Sequence, residues 1–119
     1  LAIKNYKWGI VTNKPSYFVN PIVKMLNFEY PPNCIVAGDT LKVKKPNPKP
    51  LIYASEIIDC NPIFCAYVGD DIRDISAANS ANMFSVVAAY GFIEDKEKII
   101  EWESDYVINS PLDLKNLII

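Results

Sequence analysis

Short apolar runs alternate with longer amphipathic stretches along the whole chain. Five apolar runs predict β-strands at residues 7–12, 34–37, 64–68, 84–88 and 106–108. The stretches between them predict helices over residues 16–27, 48–59, 71–80 and 95–102, and a terminal helix begins with Ser110 as N-cap and Pro111 after it. This alternation is typical of a three-layer α/β fold with a mostly parallel sheet.

Two of the predicted helices have a pronounced apolar face. The first places its inward residues at helical spacing, with Pro21 either kinking the helix or marking its true start. These inward residues are Phe18, Ile22, Met25 and Leu26. The second helix is entered through prolines, and Leu51, Ala54, Ile57 and Ile58 share one face.

Composition indicates one compact domain over residues 1–119, since half of the residues are hydrophobic. The net charge of −2 and the dispersed basic residues argue against a nucleic-acid partner, and the longest apolar run is too short to span a membrane. Cys34, Cys60 and Cys65 lack C-x-x-C spacing and lie in or beside apolar segments, so we expect reduced core thiols in a cytoplasmic protein. The absence of histidine excludes Ser-His and Cys-His catalysis and typical zinc sites.

Three carboxylates, Asp70, Asp71 and Asp74, follow the apolar run 64–69 directly. Like charges at this spacing raise each other's pKa unless a cation holds them. Mg²⁺ is usually held by one or two carboxylates with water and substrate phosphate, and ligands of parallel sheets bind at the carboxyl ends of the strands. The alternative is an ordinary acidic helix start, with Asp71 as N-cap and Asp74 at the third helical position.

Two upstream segments carry polar or charged side chains of the kind found in phosphate-binding sites. The strand at 7–12 ends in Thr12 and Asn13, which can donate hydrogen bonds to phosphate oxygens. The proline-rich loop at 44–50 carries lysines, whose compact positive charge suits a phosphoryl group. Each segment also has a structural interpretation: turn and cap residues for the first, and a solvated loop or a polyproline ligand for the second. The ordered set of three is more specific than any one member.

In this order the three segments resemble the motifs of haloacid-dehalogenase-type phosphatases, and within them the phosphoglycolate phosphatase group. The run Val11–Pro15 is similar to the second motif of that family, Lys45–Leu51 to the third, and Val68–Ile75 to the fourth. The sequence of Trp8–Pro15 and the C-terminal segment from Tyr90 onward are more similar to those of bacterial N-acetylmuramic acid 6-phosphate phosphatases.

The resemblance implies a Rossmann-like haloacid-dehalogenase core and a Mg²⁺-dependent phosphomonoester hydrolase. Its substrate would be a small phosphorylated metabolite, either a phosphosugar such as N-acetylmuramic acid 6-phosphate or phosphoglycolate, and the reaction would pass through an aspartyl-phosphate intermediate. By the same resemblance, Thr12 and Asn13 bind the phosphoryl oxygens, and Lys45 neutralises the phosphate and the nucleophile.

The resemblance also implies roles for the three acids. Asp70 would bind Mg²⁺ directly. Asp74 would either support the metal shell or hold Lys45 in place, and Asp71 is a weaker candidate for either task. Asn82 stands where such proteins usually have glycine, and asparagine is the next-best residue for a left-handed helix end.

The family's first motif, Asp-x-Asp-Gly-Thr, and its mobile cap are absent from the sequence. In the family the first motif supplies the nucleophile, and the cap selects the substrate. We therefore expect the chain to be the C-terminal part of a phosphatase core and to be inactive by itself. In the family, a strand carrying the first motif separates the strands at 7–12 and 64–68. We expect the gap to close by direct pairing, by a homodimer or strand exchange, or by an associated upstream segment.

Two other classes remain open at this point. A phospho-acceptor signalling domain also uses acids, threonine and lysine, but places them in the reverse order along the chain. A non-catalytic interaction domain would instead present the proline-rich loop Lys45–Pro50 to a partner.

Overall fold

The computed structural model describes residues 6–26, 30–91, 93 and 95–114. In this part of the chain the strands are β1 (Gly9–Val11), β2 (Cys34–Val36), β3 (Ala66–Gly69), β4 (Phe84–Ala88) and β5 (Tyr106–Ile108). The α-helices are α1 (Ser16–Leu26), α2 (Lys49–Ile57) and α3 (Ile72–Ser80). Short 3₁₀ turns cover Pro62–Phe64, Lys96–Trp102 and Pro111–Leu114.

The strands form two separate parallel sheets. β1 pairs with β2 so that Gly9 lies opposite Cys34, and β4 lies between β3 and β5 with Val86 opposite both Val68 and Tyr106. The α/β fold with a parallel but incomplete sheet is therefore confirmed. Direct pairing of the strands at 7–12 and 64–68, one of the three expected ways to close the gap, is wrong for the described residues.

Side chains keep β1 and β3 apart. Paired strands would lie about 4.8 Å from one another, whereas here the Tyr67 side chain spans the gap and its hydroxyl donates to the carbonyl oxygen of Val11 at 2.8 Å. An apolar cavity of about 70 Å³ remains between the strands, lined in part by Cys34, Leu51 and Met83.

The core lies between the sheets and the helices α2 and α3. Leu51 of α2 packs against Ala77 and Ala78 of α3, together with Ala81 and Met83. A second cluster joins α3 to β4 through buried residues of both elements and the turn that follows. Its members are Ile75, Val87, Ala89 and Ile99.

Helix α1 is present, but its predicted inward face is wrong. The four residues assigned to that face are 44–79% exposed, and Val19 is the buried residue of the helix. These four residues are Phe18, Ile22, Met25 and Leu26. The physical reason is that a two-stranded sheet of three-residue strands offers too little surface to cover a whole helix face. Pro21 lies inside the helix and does not mark its start.

Helix α2 is shorter than predicted, and its buried face is shifted. Leu51 and Ala54 are buried as expected, whereas Ile57 is 46% exposed and Ile58 is the half-buried C-cap. Ser55 is buried in their place, and its hydroxyl donates to the carbonyl oxygen of Ile52 at 2.6 Å. The helix ends there because Asp59 adopts a left-handed conformation, with φ of 56°.

The remaining boundaries show how local caps override apolar patterns. β3 begins at Ala66, because Asn61 accepts a hydrogen bond from the Ile63 amide and caps a 3₁₀ turn where the strand was predicted to start. The predicted helices at 95–102 and after Ser110 are 3₁₀ turns. Ser110 directly precedes the last one, and its amide donates to the Asp113 carboxylate at 3.2 Å.

The end of α3 confirms the expectation for Asn82. Ala81 is the C-cap, Asn82 has a φ of 62°, and the Met83 amide donates to the carbonyl oxygen of Ala78 at 3.0 Å. This left-handed ending satisfies helix carbonyls that would otherwise lack a partner.

The three cysteines are free thiols, but they are not equally buried. Cys34 is buried and Cys60 and Cys65 are half-buried. Burial raises the pKa of the Cys34 thiol, and burial with a contribution from Cys60 raises the pKa of Cys65 to about 12. None of the described helices has the length and apolar character needed to cross a bilayer.

Candidate functional site

All six predicted site residues line one open cleft at the carboxyl ends of β1 and β3. The cleft has a volume of about 480 Å³. Thr12 and Asn13 follow β1, Lys45 comes from the loop before α2, and the three acids follow β3. Lys14, Pro15 and Arg73 complete its lining.

Lys45 is the most enclosed charge of the cleft. Its ammonium nitrogen lies 2.5 Å from Asp74 Oδ1 and donates to the Tyr67 hydroxyl at 2.9 Å and to the carbonyl oxygen of Val11 at 3.3 Å. Burial lowers the pKa of Lys45, but its contacts with Tyr67 and Asp74 more than offset this effect, so that the pKa lies above its ordinary value. Lys45 is therefore a fixed positive charge at neutral pH.

Asp74 holds the lysine and the turn after β3 at the same time. Its Oδ1 atom faces Lys45, and its Oδ2 atom accepts hydrogen bonds from the amides of Asp70 at 3.1 Å and Asp71 at 3.2 Å. Gly69 permits this arrangement, because a Cβ atom there would lie 2.4 Å from the Asp74 side chain. Asp74 has two alternative predicted roles, support of a metal ion and holding Lys45 in place. These contacts favour the second role.

Asp71 is the N-cap of α3, as the helix-start interpretation predicted. Its Oδ1 atom accepts from the Arg73 amide at 2.9 Å and from Arg73 Nε at 3.0 Å, and its Oδ2 atom accepts from Nη2 at 3.2 Å. These hydrogen bonds with Arg73 lower the pKa of the Asp71 carboxyl group. The carboxylate is thus engaged in an exposed ion pair.

Asp70 differs from the other two acids in its environment. Its side chain is exposed and packs against Gly91, where a Cβ atom would lie 2.5 Å from the carboxylate. Within the described ranges no hydrogen bond engages that carboxylate, and no three acidic, histidine or cysteine residues are grouped so that they could hold a metal. Of the three acids, Asp70 has the carboxylate without a hydrogen bond among the described residues, and metal binding by Asp70, Asp71 and Asp74 stays a prediction.

Thr12 and Asn13 differ in how free their side chains are. The Thr12 hydroxyl oxygen accepts from the Lys14 amide at 3.2 Å, which leaves the hydroxyl proton for another acceptor. Both ends of the Asn13 amide contact the main chain of Lys45, at 3.1 Å and 3.2 Å. Thr12 is thus placed to donate to a phosphate oxygen, whereas the Asn13 side chain is already engaged.

Tyr67 is a site residue that the sequence analysis missed. Its hydroxyl connects the Lys45 ammonium to Val11, the last residue of β1. Burial raises the pKa of Tyr67, against the opposing effect of Lys45, so its phenol stays protonated. The signal was present, because a tyrosine inside a buried strand needs a hydrogen-bond partner for its hydroxyl.

Comparison with known proteins agrees with this geometry. The family model described as haloacid dehalogenase-like hydrolase matches residues 1–88. A phosphoglycolate phosphatase of Xylella fastidiosa is 41% identical over 104 residues, which are 87% of this chain and 45% of that protein. An N-acetylmuramic acid 6-phosphate phosphatase of Pseudomonas putida is 35% identical over 114 residues, 96% of this chain and 51% of that protein. The chain spans about half the length of the curated relatives it matches.

Solved structures share the fold. A predicted phosphoglycolate phosphatase from Haemophilus somnus superposes with a TM-score of 0.85 at 28% identity, over 94% of this chain and 49% of the other. A haloacid-dehalogenase-superfamily hydrolase from Geobacter sulfurreducens superposes with a TM-score of 0.78 at 17% identity, over 94% of this chain and 48% of the other. With the family model matching more than half of its residues, the chain belongs to the haloacid dehalogenase-like hydrolases.

Proposed function

We propose that this chain forms the phosphate-binding half of a Mg²⁺-dependent phosphomonoesterase for a small phosphorylated metabolite. The observation that carries the proposal is the Lys45–Asp74 pair, which places a fixed positive charge at the base of an open cleft where two parallel strands end. Phosphoryl transfer depends mainly on positioning and on neutralising charge, and Asp74 holds in place the lysine that would serve both.

The chain's own residues supply two contacts to a phosphate. The Lys45 ammonium has three protons, which it donates to Asp74, to Tyr67 and to the carbonyl oxygen of Val11. A phosphate oxygen would take the place of the longest of these bonds, the one of 3.3 Å to Val11, while the bond to Asp74 stays. The Thr12 hydroxyl can donate to a second oxygen from the end of β1. Neither contact needs the Asn13 side chain.

The residues present fit a Mg²⁺ ion that is held by few protein ligands. Asp70 has an exposed carboxylate at the rim of the cleft, and Mg²⁺ is commonly held by one or two carboxylates together with water and substrate phosphate. When bound there, the ion would add positive charge beside the phosphate. Asp70 would hold it, while Asp74 stays with Lys45.

The nucleophile of the proposed reaction is not in this chain. None of its aspartates stands in an Asp-x-Asp-Gly-Thr sequence, and Asp39-Thr40 is not a substitute, because Asp39 binds Ser16 through both carboxylate oxygens. We therefore propose that the aspartyl phosphate forms on a residue outside these 119 residues, and that the isolated chain has no turnover.

We propose that the substrate is a phosphosugar rather than phosphoglycolate. The reason is that Trp8–Pro15 and the C-terminal segment from Tyr90 onward are more similar to N-acetylmuramic acid 6-phosphate phosphatases. Relatives of both kinds match this chain at similar identity. The ratio of kcat/KM for the full-length protein on N-acetylmuramic acid 6-phosphate and on phosphoglycolate decides between them. A tenfold preference for phosphoglycolate, about 1.4 kcal/mol in transition-state binding, contradicts this choice.

The alternative of a proline-rich interaction motif has less support. Pro48 has φ of −73° and ψ of −13°, which is helical, and Pro50 is buried in the first turn of α2. A polyproline II ligand needs ψ near 145° and exposed prolines. The loop from Lys45 to Pro50 therefore does not present such a ligand.

The test of the proposed function is hydrolysis of p-nitrophenyl phosphate by the purified full-length protein with and without Mg²⁺. Lys45→Ala should lower kcat at least 100-fold, the loss typical of a removed electrostatic stabiliser. Lys49→Ala is the matched control and should retain activity, because Lys49 is the exposed first residue of α2, four positions after Lys45. Full activity of Lys45→Ala would overturn the proposal.

A further inference from the structure

The Asn13 side chain binds the main chain of the residue that carries the charge of the site. Asn13 Nδ2 donates to the carbonyl oxygen of Lys45 at 3.2 Å, and the Lys45 amide donates to Asn13 Oδ1 at 3.1 Å. The two residues are 32 positions apart in the sequence and belong to different segments of the cleft. A primary amide is suited to this pairing, because it offers one donor and one acceptor side by side.

This contact accounts for the hydrogen bonding of the Lys45 main chain. Within the described part of the chain, neither the amide nor the carbonyl of Lys45 has a backbone partner; the turn there is closed instead by the Asn47 amide, which donates to the carbonyl oxygen of Lys44 at 2.9 Å. Buried main-chain groups need partners. Asn13 supplies both for Lys45, in a partly buried position.

Asn13 is itself held firmly. The Gly38 amide donates to the carbonyl oxygen of Lys14 at 2.7 Å, and a Cβ atom at Gly38 would lie 2.0 Å from the Asn13 carbonyl oxygen. Only glycine allows the loop after β2 to approach the Asn13 main chain so closely. The end of β1 thus offers an anchor for the main chain of Lys45.

We propose that the Asn13 side chain positions Lys45 and is not itself a phosphate ligand. The inference rests on the proposed function for its catalytic meaning, but the contact itself does not. A lysine side chain has many rotamers, and fixing its main chain limits those from which the ammonium reaches Asp74 and Tyr67 together. Asn13 fixes the main chain from one side while Asp74 fixes the ammonium from the other.

Amide hydrogen exchange of the full-length protein tests the contact without any ligand. Asn13→Ala should speed exchange of the Lys45 amide at least tenfold. Asn47→Ala is the matched control, since Asn47 lies in the same loop and its side chain accepts from the Lys49 amide instead. Asn13→Asp keeps the acceptor for the Lys45 amide but sets a second oxygen against the Lys45 carbonyl group, so it should lose part of the protection. It serves as a second variant if Asn13→Ala does not fold, and full protection in it would count against the inference. Unchanged exchange in Asn13→Ala, or protection lost in Asn47→Ala to the same extent, overturns the inference.

A double-mutant cycle on the affinity for inorganic phosphate with Mg²⁺ then separates positioning from direct binding. Asn13→Ala should weaken phosphate binding about tenfold when Lys45 is present and less than twofold in the Lys45→Ala background. Equal weakening in both backgrounds makes Asn13 a direct ligand and overturns the inference. Absence of phosphate binding by the unmodified protein counts against the proposed function, whereas the exchange result still decides whether Asn13 holds Lys45.

Discussion

Lys45 Nζ lies 2.5 Å from Asp74 Oδ1, and only 9% of the lysine side chain and 10% of the aspartate side chain are exposed. Through this pair the loop before α2 is joined to the start of α3. The same lysine also reaches the last carbonyl group of β1. A buried pair of this kind adds little stability over an apolar pair, but breaking it is costly because one charge stays buried without its partner. The pair is therefore both the chemical centre of the cleft and a structural junction.

Replacing Asp74 should destabilise the fold strongly. Asp74→Asn leaves the Lys45 charge without its counter-ion and should lower the free energy of unfolding by about 3–5 kcal/mol. Asp71→Asn is the control, since asparagine is an equally good N-cap and the lost pair with Arg73 is exposed, so its effect should stay within about 1 kcal/mol. Urea unfolding of the two full-length variants measures these free energies. Equal losses of unfolding free energy in Asp74→Asn and Asp71→Asn would show that the buried pair does not join the two segments.

Replacing Asp70 should weaken Mg²⁺ binding without affecting the fold. Its carboxylate is exposed and has no hydrogen bond within the described residues, so Asp70→Asn removes a ligand and no structural contact. In an NMR titration with Mg²⁺, the amides of residues 69–74 should shift in the unmodified protein and not in Asp70→Asn. Asp71→Asn should behave like the unmodified protein. Equal shifts in Asp70→Asn would rule this residue out as the metal ligand.

Much of the fold follows from local pattern and local caps. The strand Phe84–Ala88 was predicted with its observed bounds, because five apolar or small residues there lie between a left-handed asparagine and a turn. The start of α3 was predictable from the capping residues Asp71 and Asp74. The exposed face of α1 was not, because periodicity shows which residues share a face but not how much of the sheet is present to cover that face.

The cleft was predictable as a set of residues but not as a set of contacts. Motif order brought Thr12, Lys45 and Asp70 to one edge of the sheet, as observed. Sequence alone did not show that Asp74 uses one oxygen for Lys45 and the other for the main-chain amides of Asp70 and Asp71. Nor did it show that the Asn13 side chain binds main chain, because acceptors and donors compete at distances that only the folded backbone sets. Tyr67 was missed because an aromatic residue in an apolar strand is usually a packing residue.

The link between Asp39 and Ser16 should make stability depend on pH in the acid range. The Ser16 hydroxyl and amide each donate to the Asp39 carboxylate at 2.8 Å, and these bonds hold the pKa of Asp39 below its usual value. Because the folded pKa is the lower one, the stabilisation is present above the unfolded pKa of about 3.9 and is lost as pH falls through the folded pKa. Asp39→Asn should flatten the fall of unfolding free energy below about pH 4. Ser16→Ala should flatten it in part, since the amide donor remains. Urea unfolding at each pH measures this dependence. If the free energy of unfolding falls with pH as steeply in Asp39→Asn as in the unmodified protein, Asp39 is not the group responsible.

The facing edges of β1 and β3 should make the isolated chain associate with itself. No strand lies between them in the part of the chain that the structure describes, and the cavity there is apolar. Tyr67 and Lys45 satisfy the Val11 carbonyl group, but side chains cannot replace a whole strand. Open strand edges with apolar neighbours favour pairing with another chain. We expect a homodimer or an exchanged strand, seen as a concentration-dependent rise in sedimentation coefficient.

Three charged substitutions identify the surface responsible for that association. Ala66→Lys places a charge on β3 beside the cavity and should suppress association, as edge lysines do in natural sheets. Ile100→Lys changes a residue that is 86% exposed and lies away from the gap, so it should have no effect. Met25→Lys reports on the exposed face of α1, which is another apolar surface of the described residues. If Met25→Lys abolishes association and Ala66→Lys leaves it intact, the contact belongs to α1. If the unmodified chain stays monomeric at every concentration, the open strand edges are tolerated.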